Sequence, residues 1–159
     1  MTQLKNKELA GEVLGKFRSI YGSAKSHFRK IEEQCGISGS QLWILKEIAT
    51  HPNTGITQVS ETLSIHQTTC SLLVEKLVKR KLITKERSEE DQRRVGLKVT
   101  DEGVVVLNQA PEPLEGILPS AVNAIDEQSL EALNHSLSKL ISQLENYDKE
   151  LANKPLADI

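Results

Sequence analysis

Aromatic residues are scarce in this chain, with one Trp, two Tyr and two Phe among 159 residues. Aliphatic side chains must therefore supply most of the core, in a chain of the length of one ordinary domain. No apolar run approaches the roughly 18 residues that a membrane-spanning helix needs, and the first seven residues lack the apolar stretch of a secretory signal. Two cysteines cannot build a disulfide scaffold. Membrane, fibrous and disulfide-rich classes are thus excluded, and we expect a cytoplasmic protein with reduced thiols.

The small net charge of −2 hides an uneven distribution of charge along the chain. Residues 66–100 carry nine Lys or Arg against five Asp or Glu, a net +4, whereas residues 101–159 carry three against eleven, a net −8. A basic segment between less basic ends is expected when that segment meets a polyanion. The alternative from charge alone is chance clustering on a solvated face.

Both ends of the chain show apolar residues at helical spacing. Steps of three and four predict a long first helix with one apolar face, formed by Leu9, Val13, Phe17, Ile20, Tyr21, Ala24, Phe28 and Ile31. Asp126 can cap a last helix, whose stripe comprises Leu130, Leu133, Leu137, Leu140, Ile141, Leu144, Tyr147 and Leu151. Long apolar stripes need a covering surface, from the same domain or from a second chain. The residues beyond about Asn153 are expected to fray.

The middle of the chain predicts short helices and then a hairpin. Ser38 and Gln41 form the pattern of a capping box before a second helix, and Thr57 can cap a third. A fourth helix begins near Gln67 after a three-residue turn, which is the helix-turn-helix arrangement. Alternation over 95–99 predicts a strand, with 83–88 as its partner and 89–93 as the connecting turn. Such a hairpin is called a wing when it flanks DNA.

Residues 66–77, HQTTCSLLVEKL, resemble the recognition helix of the MarR family of bacterial transcription regulators. Asp91-Gln92-Arg93, followed by the segment LKVTDEG at 97–103, resembles that family's wing tip, second wing strand and next helix start. The resemblance covers most of the chain. It implies a mainly α-helical fold with a small β-hairpin wing, in which a winged helix-turn-helix domain joins a helical dimerisation region. The expected division is an N-terminal dimerisation helix (1–36), the DNA-binding domain (37–100), C-terminal dimerisation helices (101–152) and a frayed tail (153–159).

The resemblance also implies a homodimer on a palindromic operator in double-stranded DNA, released by a small molecule or by thiol oxidation. The outward residues at the start of the fourth helix would read bases in the major groove: Gln67, Thr68, Ser71 and Leu72. Basic residues placed for phosphates would be Lys76, Lys79 and Arg80. At the wing, Arg93 would enter the minor groove with Asp91 orienting it, and Arg94 beside them is also expected to contact DNA.

Three positions depart from the family pattern. Leu72 stands where a basic residue is common, so the operator preference should differ. Lys81 replaces a frequent glycine at the end of the recognition helix, which puts the usual tight turn in question. His66 occupies a capping position that usually holds a small residue.

Two sensing mechanisms compete within this interpretation. A small, often aromatic and anionic effector would be lined by Arg18, Tyr21, Phe28 and Trp43, which could instead be ordinary packing residues. The alternative is oxidation of Cys35, with nearby Lys30 and Arg29 favouring the thiolate. Family members that sense oxidation carry a thiol early in the first helix, and none stands there.

Other function classes find little support in the sequence. The four histidines are scattered and form no metal-ligand spacing with each other or with cysteine, so no metal is expected. No phosphate-binding glycine loop or nucleophile elbow indicates an enzyme, and no cofactor is expected. A winged-helix module that binds protein rather than DNA stays open as an alternative. Steep salt dependence of DNA binding would distinguish the two.

Overall fold

A computed structural model describes residues 2–88 and 94–159. Its elements in chain order are α1 (Thr2–Cys35), α2 (Gly39–Thr50), α3 (Ile56–Leu63), α4 (Gln67–Lys79), β1 (Ile83–Arg87), β2 (Val95–Val99), α5 (Asp101–Gln109), α6 (Ile117–Asn123), α7 (Glu127–Ile141) and the 3₁₀ helices Lys149–Asn153 and Leu156–Asp158. The predicted fold class, mainly α-helical with a two-stranded antiparallel hairpin, is confirmed. Within the described ranges, no helix has the combination of length and apolarity that crossing a bilayer demands.

The start of α2 follows the predicted capping box. The Ser38 hydroxyl accepts a hydrogen bond from the Gln41 backbone N–H at 3.2 Å, and the Gln41 side-chain oxygen accepts one from the Ser38 N–H at 2.9 Å. Two helix-end N–H groups are thereby satisfied. The helix then buries Leu42, Leu45 and Ile48 completely.

The core lies among α2, α3, α4 and the hairpin. Aliphatic side chains dominate it, as the shortage of aromatic residues requires, and its fully enclosed members include Ile31, Leu42, Ile44, Leu45, Ile48, Val59, Val74, Leu77, Ile83 and Leu97. These residues come from α1, the three short helices and both strands. The helix-turn-helix and the wing therefore share one core.

The third helix begins earlier than predicted. Gly55, not Thr57, is its N-cap, and the Gln58 side-chain oxygen accepts from the Gly55 N–H at 3.2 Å. Gln58 stands three residues after Gly55, where its side chain can reach back as in a capping box. Ser64 then takes a left-handed conformation (φ 54°) that closes the short turn into α4.

The wing is bound to the rest of the domain by backbone hydrogen bonds. Strands β1 and β2 pair from Ile83 opposite Val99 to Arg87 opposite Val95. The outer edge of β2 also pairs with the α2–α3 loop, where the Asn53 N–H donates to Leu97 O and the Leu97 N–H donates to Thr54 O, each at 2.9 Å. These bonds fix the orientation of the hairpin relative to α3.

The turn after α4 forms without glycine. Lys81 adopts a left-handed conformation (φ 59°), its N–H donates to Val78 O at 2.9 Å, and its carbonyl accepts from the Thr100 hydroxyl at 2.6 Å. The tight turn therefore forms with Lys81 in place of glycine. The neighbouring hydrogen bonds hold Lys81 in its strained backbone conformation.

This strain predicts that Lys81→Gly stabilises the protein. Glycine removes the free-energy cost of the left-handed conformation, about 1–2 kcal/mol. Its greater conformational entropy in the unfolded chain cancels part of this stabilisation. We expect a net gain of about 0.5 kcal/mol, or a rise in Tm of about 2 °C. Thermal unfolding followed by circular dichroism measures it. Lys76→Gly, inside α4, is the control and should lose about 1 kcal/mol. A fall in Tm for Lys81→Gly would contradict the strain assignment.

The C-terminal part differs from its prediction in two ways. Asp126 caps α7 as expected, accepting from the Ser129 N–H at 2.9 Å. The helix ends at Ile141, however, rather than continuing to Leu151. Shorter-range backbone bonds at Gln143 and Leu144, followed by left-handed Asn146 (φ 58°), turn the chain away. Asparagine tolerates that conformation better than most residues.

The residues beyond Asn153 do not fray. They form the 3₁₀ helix Leu156–Asp158, with Pro155 buried, and the Ser40 hydroxyl donates to the Asp158 carboxylate. The prediction of a frayed tail over 153–159 was wrong because sequence pattern alone does not reveal this long-range contact.

Candidate nucleic-acid interface

The fourth helix divides cleanly into a buried and an outward face. Cys70, Leu73, Val74 and Leu77 point into the core. The predicted base-reading residues lie on the other side, where Gln67, Thr68 and Leu72 are exposed and Ser71 is half-buried. Leu72 has 62% of its surface exposed, which is unusual for leucine. The structure therefore brings all four residues to one accessible face at the N-terminal end of α4.

A hydrogen bond orients Gln67 at this end of the helix. Its side-chain Nε2 donates to the Thr57 hydroxyl at 3.1 Å. Thr57 lies in the first turn of α3 and is exposed. The amide oxygen of Gln67 therefore has a defined direction, and Thr57 belongs to the same surface. The sequence pattern indicated Thr57 only as a helix cap, so its contact with Gln67 was not predicted.

The three residues predicted to contact phosphates at the end of α4 have different surroundings in the structure. Lys76 and Lys79 are exposed on the helix. Arg80 is exposed too, but its guanidinium donates to the carbonyl of Gly36 at the end of α1. This bond ties the end of α4 to the end of α1, and the assignment of Arg80 to a phosphate contact stays a prediction.

A concavity of about 1120 Å³ separates the wing from the start of α3 and α4. Gln67 and Thr57 line it on the helical side, and four basic residues line it on the wing side, Lys85, Arg87, Arg94 and Lys98. Lys85 pairs with Glu75, whose pKa is lowered chiefly by that hydrogen bond, and Lys98 pairs with Glu86. The wing thus adds four basic side chains to the surface that α4 begins, among them the ion-paired Lys85 and Lys98, and Glu86 lines the same concavity.

Arg87 is a candidate that sequence reasoning missed. It is exposed at the end of β1 and shares the concavity with Gln67. The strand pattern offered no signal for it, because period two places Arg87 on the face of buried Ile83, whereas every residue of β1 after Ile83 is exposed. Arg94 is exposed in the wing, and its carbonyl accepts from the Ser88 N–H at 2.9 Å; its predicted contact with DNA stays a prediction. Asp91 and Arg93 lie outside the described residues.

Two of the four predicted effector-contacting residues line one cavity. Tyr21 and Phe28 of α1 flank a space of about 270 Å³, with the cations Lys25 and Arg29 and the acid Glu32 in the same wall and Leu156, Ala157 and Ile159 opposite. Arg18 is exposed outside this wall, and Trp43 packs against the core. The structure therefore places Arg18 and Trp43 elsewhere.

Burial raises the pKa of both thiols. Cys35 is half-buried, and its desolvation raises the pKa of the thiol above the ordinary value. Its sulfur contacts Val106 O at 3.9 Å, and the nearby Lys30 and Arg29 do not lower its pKa. Cys70 is buried, which raises its pKa to about 11. Because the thiolate is the reactive form, the redox role predicted for Cys35 is not supported by its environment.

The fold and this surface together define the winged helix-turn-helix class. A family profile described as "Transcriptional regulator SarA/Rot" matches residues 26–110, more than half of the chain. The chain belongs to this family of transcriptional regulators. Its predicted resemblance to MarR-type regulators is confirmed, and its relatives are regulators rather than enzymes.

Known relatives extend the similarity to nearly the whole chain. The HTH-type transcriptional repressor MdtR of Bacillus subtilis is 18% identical over 143 residues, which cover 90% of this chain and 92% of the relative. Staphylococcus aureus MarR, solved with salicylate and kanamycin, has 25% identity and a TM-score of 0.56, covering 88% and 97% of the two chains. The S. aureus MepR–DNA complex shares the fold, with 22% identity, a TM-score of 0.56 and coverage of 81% and 94%.

Proposed function

We propose that this protein regulates transcription as a homodimer that binds a palindromic operator through α4 and the wing. The observation that carries the proposal is the outward N-terminal face of α4 beside a concavity lined by basic wing residues. In helix-turn-helix proteins the N-terminal residues of the second helix contact base edges in the major groove. The related fold of MepR, solved bound to DNA, supports the same use here.

Each residue of this surface has a role that follows from its chemistry. Gln67 would pair with adenine, while Thr68 and Leu72 offer methyl groups to thymine, and Ser71 can bond to either base edge. Lys76 and Lys79 would contact phosphates, together with Arg87 and Arg94 of the wing. The proposal keeps Arg93 for the minor groove and Asp91 as the residue that orients it, both outside the described residues.

Two substitutions should separate base reading from phosphate contact. Lys76→Ala removes an exposed charge, so we expect weaker binding to every duplex and a salt slope reduced by about 1. Thr68→Ala removes a contact to base edges, so affinity for the operator should fall by about 5- to 100-fold while affinity for scrambled DNA stays unchanged. Fluorescence anisotropy with the DNA upstream of the protein's own gene measures both.

Lys139→Ala is the matched control, because it removes the same charge from α7, away from α4. It should change neither the affinity nor the salt slope. Equal effects of Lys76→Ala and Lys139→Ala on the slope would show that net charge, rather than the α4 surface, determines binding.

The dimer part of the proposal rests on apolar side chains that the chain itself leaves uncovered. Five residues of the predicted apolar stripe of α1 have at least 39% of their surface exposed: Leu9, Val13, Phe17, Ile20 and Tyr21. Helix α7 buries none of its residues, and Leu130, Leu133, Leu140 and Ile141 are exposed along one side. Apolar surface on this scale indicates a protein interface. We assign it to a second copy, with 1–36 and 101–152 as the dimerisation region around the DNA-binding domain 37–100.

The regulation we propose is repression, as described for the relative MdtR, lifted by a small effector. The cavity between Tyr21 and Phe28 is the candidate site, since aromatic walls beside Lys25 and Arg29 suit an aromatic anion. The MarR relative was solved with salicylate, a ligand of that chemistry. Acting on the chromosome, such a regulator would work in the cytoplasm.

A further inference from the structure

The last twelve residues, Asp148–Ile159, cross back over the helix-turn-helix, and we call them the C-terminal strap. Pro155 is buried between the two 3₁₀ helices of the strap. Polar contacts hold the strap to the N-terminal ends of two helices, α4 and α2. The function proposed above uses the strap only as one wall of the effector cavity, through Leu156, Ala157 and Ile159, and gives its acidic side chains no role.

The first contact lies at the start of α4. The backbone N–H of His66 donates to Asn153 O at 3.1 Å, and the His66 ring Nε2 lies 3.2 Å from a carboxylate oxygen of Glu150. His66 is the N-cap of α4, and its own side chain makes no capping bond to that helix. A carboxylate of the strap is therefore held beside the helix end that presents Gln67 and Thr68.

The second contact fixes the far end of the strap. The buried Ser40 hydroxyl lies 2.9 and 3.0 Å from the two oxygens of Asp158 and donates its only proton to them. The Ser38 hydroxyl, 3.1 Å from Ser40 Oγ, then acts as the donor in that pair. Because Ser40 belongs to the first turn of α2, Asp158 anchors the strap to a rigid part of the core.

The charge of the strap opposes DNA. Asp148, Glu150 and Asp158 outnumber Lys149 and Lys154. Phosphate contacts in DNA complexes commonly use helix N-termini, where backbone N–H groups and the helix dipole favour an anion. An acidic segment held at that end of α4 repels the phosphates that would approach it.

We propose that the C-terminal strap is an autoinhibitory element, which lowers DNA affinity while it is bound to His66 and Ser40 and is displaced when DNA binds. The proposal rests on the DNA-binding function proposed above. It predicts that weakening either contact raises the affinity for DNA, the reverse of what loss of a supporting contact would do.

The test uses full-length Glu150→Gln and Asp158→Asn, compared with Glu145→Gln. Glu145 is an exposed acid just before the strap, so its substitution removes the same charge without touching α4. Anisotropy is measured on a duplex of about 30 base pairs from upstream of the gene, long enough for two half-sites. Loss of a fixed carboxylate at a helix N-terminus should raise the affinity about 5-fold in both strap variants, whereas Glu145→Gln should change it by less than about 2-fold.

Hydrogen exchange supplies a readout that does not depend on DNA. The His66 amide should exchange faster in Asp158→Asn than in the wild type, because its bond to Asn153 O opens when the strap is released. Thermal unfolding checks that each variant is folded.

The outcomes are distinguishable. The autoinhibitory role of the strap is supported if both strap variants bind DNA more tightly than the wild type and Glu145→Gln binds with near wild-type affinity. If the wild-type protein binds DNA, the autoinhibitory role of the strap is overturned when the strap variants bind with wild-type affinity, bind more weakly, or change no more than Glu145→Gln does. The DNA-binding function would then stand. Absence of salt-dependent binding by every form overturns both proposals.

Discussion

Leu133→Asp is expected to convert the protein to a monomer and to lower its operator affinity by about 100-fold. Leu133 lies on the uncovered apolar side of α7, and 39% of its surface is exposed in the single chain. In a symmetric dimer each copy would place one carboxylate in the interface. Burying these charges without a cationic partner costs free energy and disfavours the dimer. A monomer contacts one half-site at a time and loses much of the difference between specific and non-specific binding.

The control for this prediction is His135→Asp. His135 lies on the opposite side of the same helix, so the substitution adds a carboxylate to α7 but leaves the apolar stripe unchanged. Sedimentation at micromolar concentration should give a dimer for the wild type and His135→Asp, and a monomer for Leu133→Asp. A wild-type protein that sediments as a monomer would remove the basis of the dimer proposal.

Gly103→Ala should destabilise the protein by about 3 kcal/mol, the largest stability effect that we expect from adding one methyl group. Gly103 is buried in the first turn of α5, where the Thr100 hydroxyl accepts its N–H at 3.1 Å. A Cβ there would lie 2.2 Å from Leu82 O and 2.6 Å from a methyl carbon of Val99. Because Leu82 O is a backbone atom that accepts from the Thr100 N–H, the turn between α4 and β1 would have to move.

Gly11→Ala is the matched control for Gly103→Ala. Apart from its own helix, a Cβ at Gly11 would meet no atom within 4 Å among the described residues, so alanine should stabilise α1 by up to about 1 kcal/mol. Thermal unfolding should lower Tm by about 6–12 °C for Gly103→Ala and leave Gly11→Ala at or above wild type. An unchanged Tm for Gly103→Ala would show that the packing of α5 against the wing is loose.

Much of the fold follows from local sequence signals. The capping box of Ser38 and Gln41, the Asp126 cap and the two wing strands are confirmed because each depends on residues close in sequence. The outward placement of Gln67, Thr68 and Leu72 follows from helical periodicity in the same way.

Features that the sequence did not reveal share a physical cause, which is contact between residues distant along the chain. Arg80 was expected near a phosphate, and its guanidinium also donates to the carbonyl of Gly36, 44 positions earlier. Cys35 looked activated by neighbouring cations, but burial against α5 raises its pKa. The strap looked frayed because its bonds to Ser40 and His66 span more than 80 residues. The turn at Lys81 has a different cause. Tertiary hydrogen bonds hold Lys81 in a left-handed conformation that glycine would adopt more readily.

The central claim is that α4 and the wing bind DNA with sequence preference. The most direct test is the anisotropy of the wild-type protein on its own upstream DNA and on a scrambled duplex, at two salt concentrations. We expect tighter binding to the upstream DNA and a steep fall in the affinity for both duplexes as salt rises, because binding releases counterions from the phosphates. No salt-dependent binding to either duplex would contradict this claim and favour a winged-helix module that binds protein.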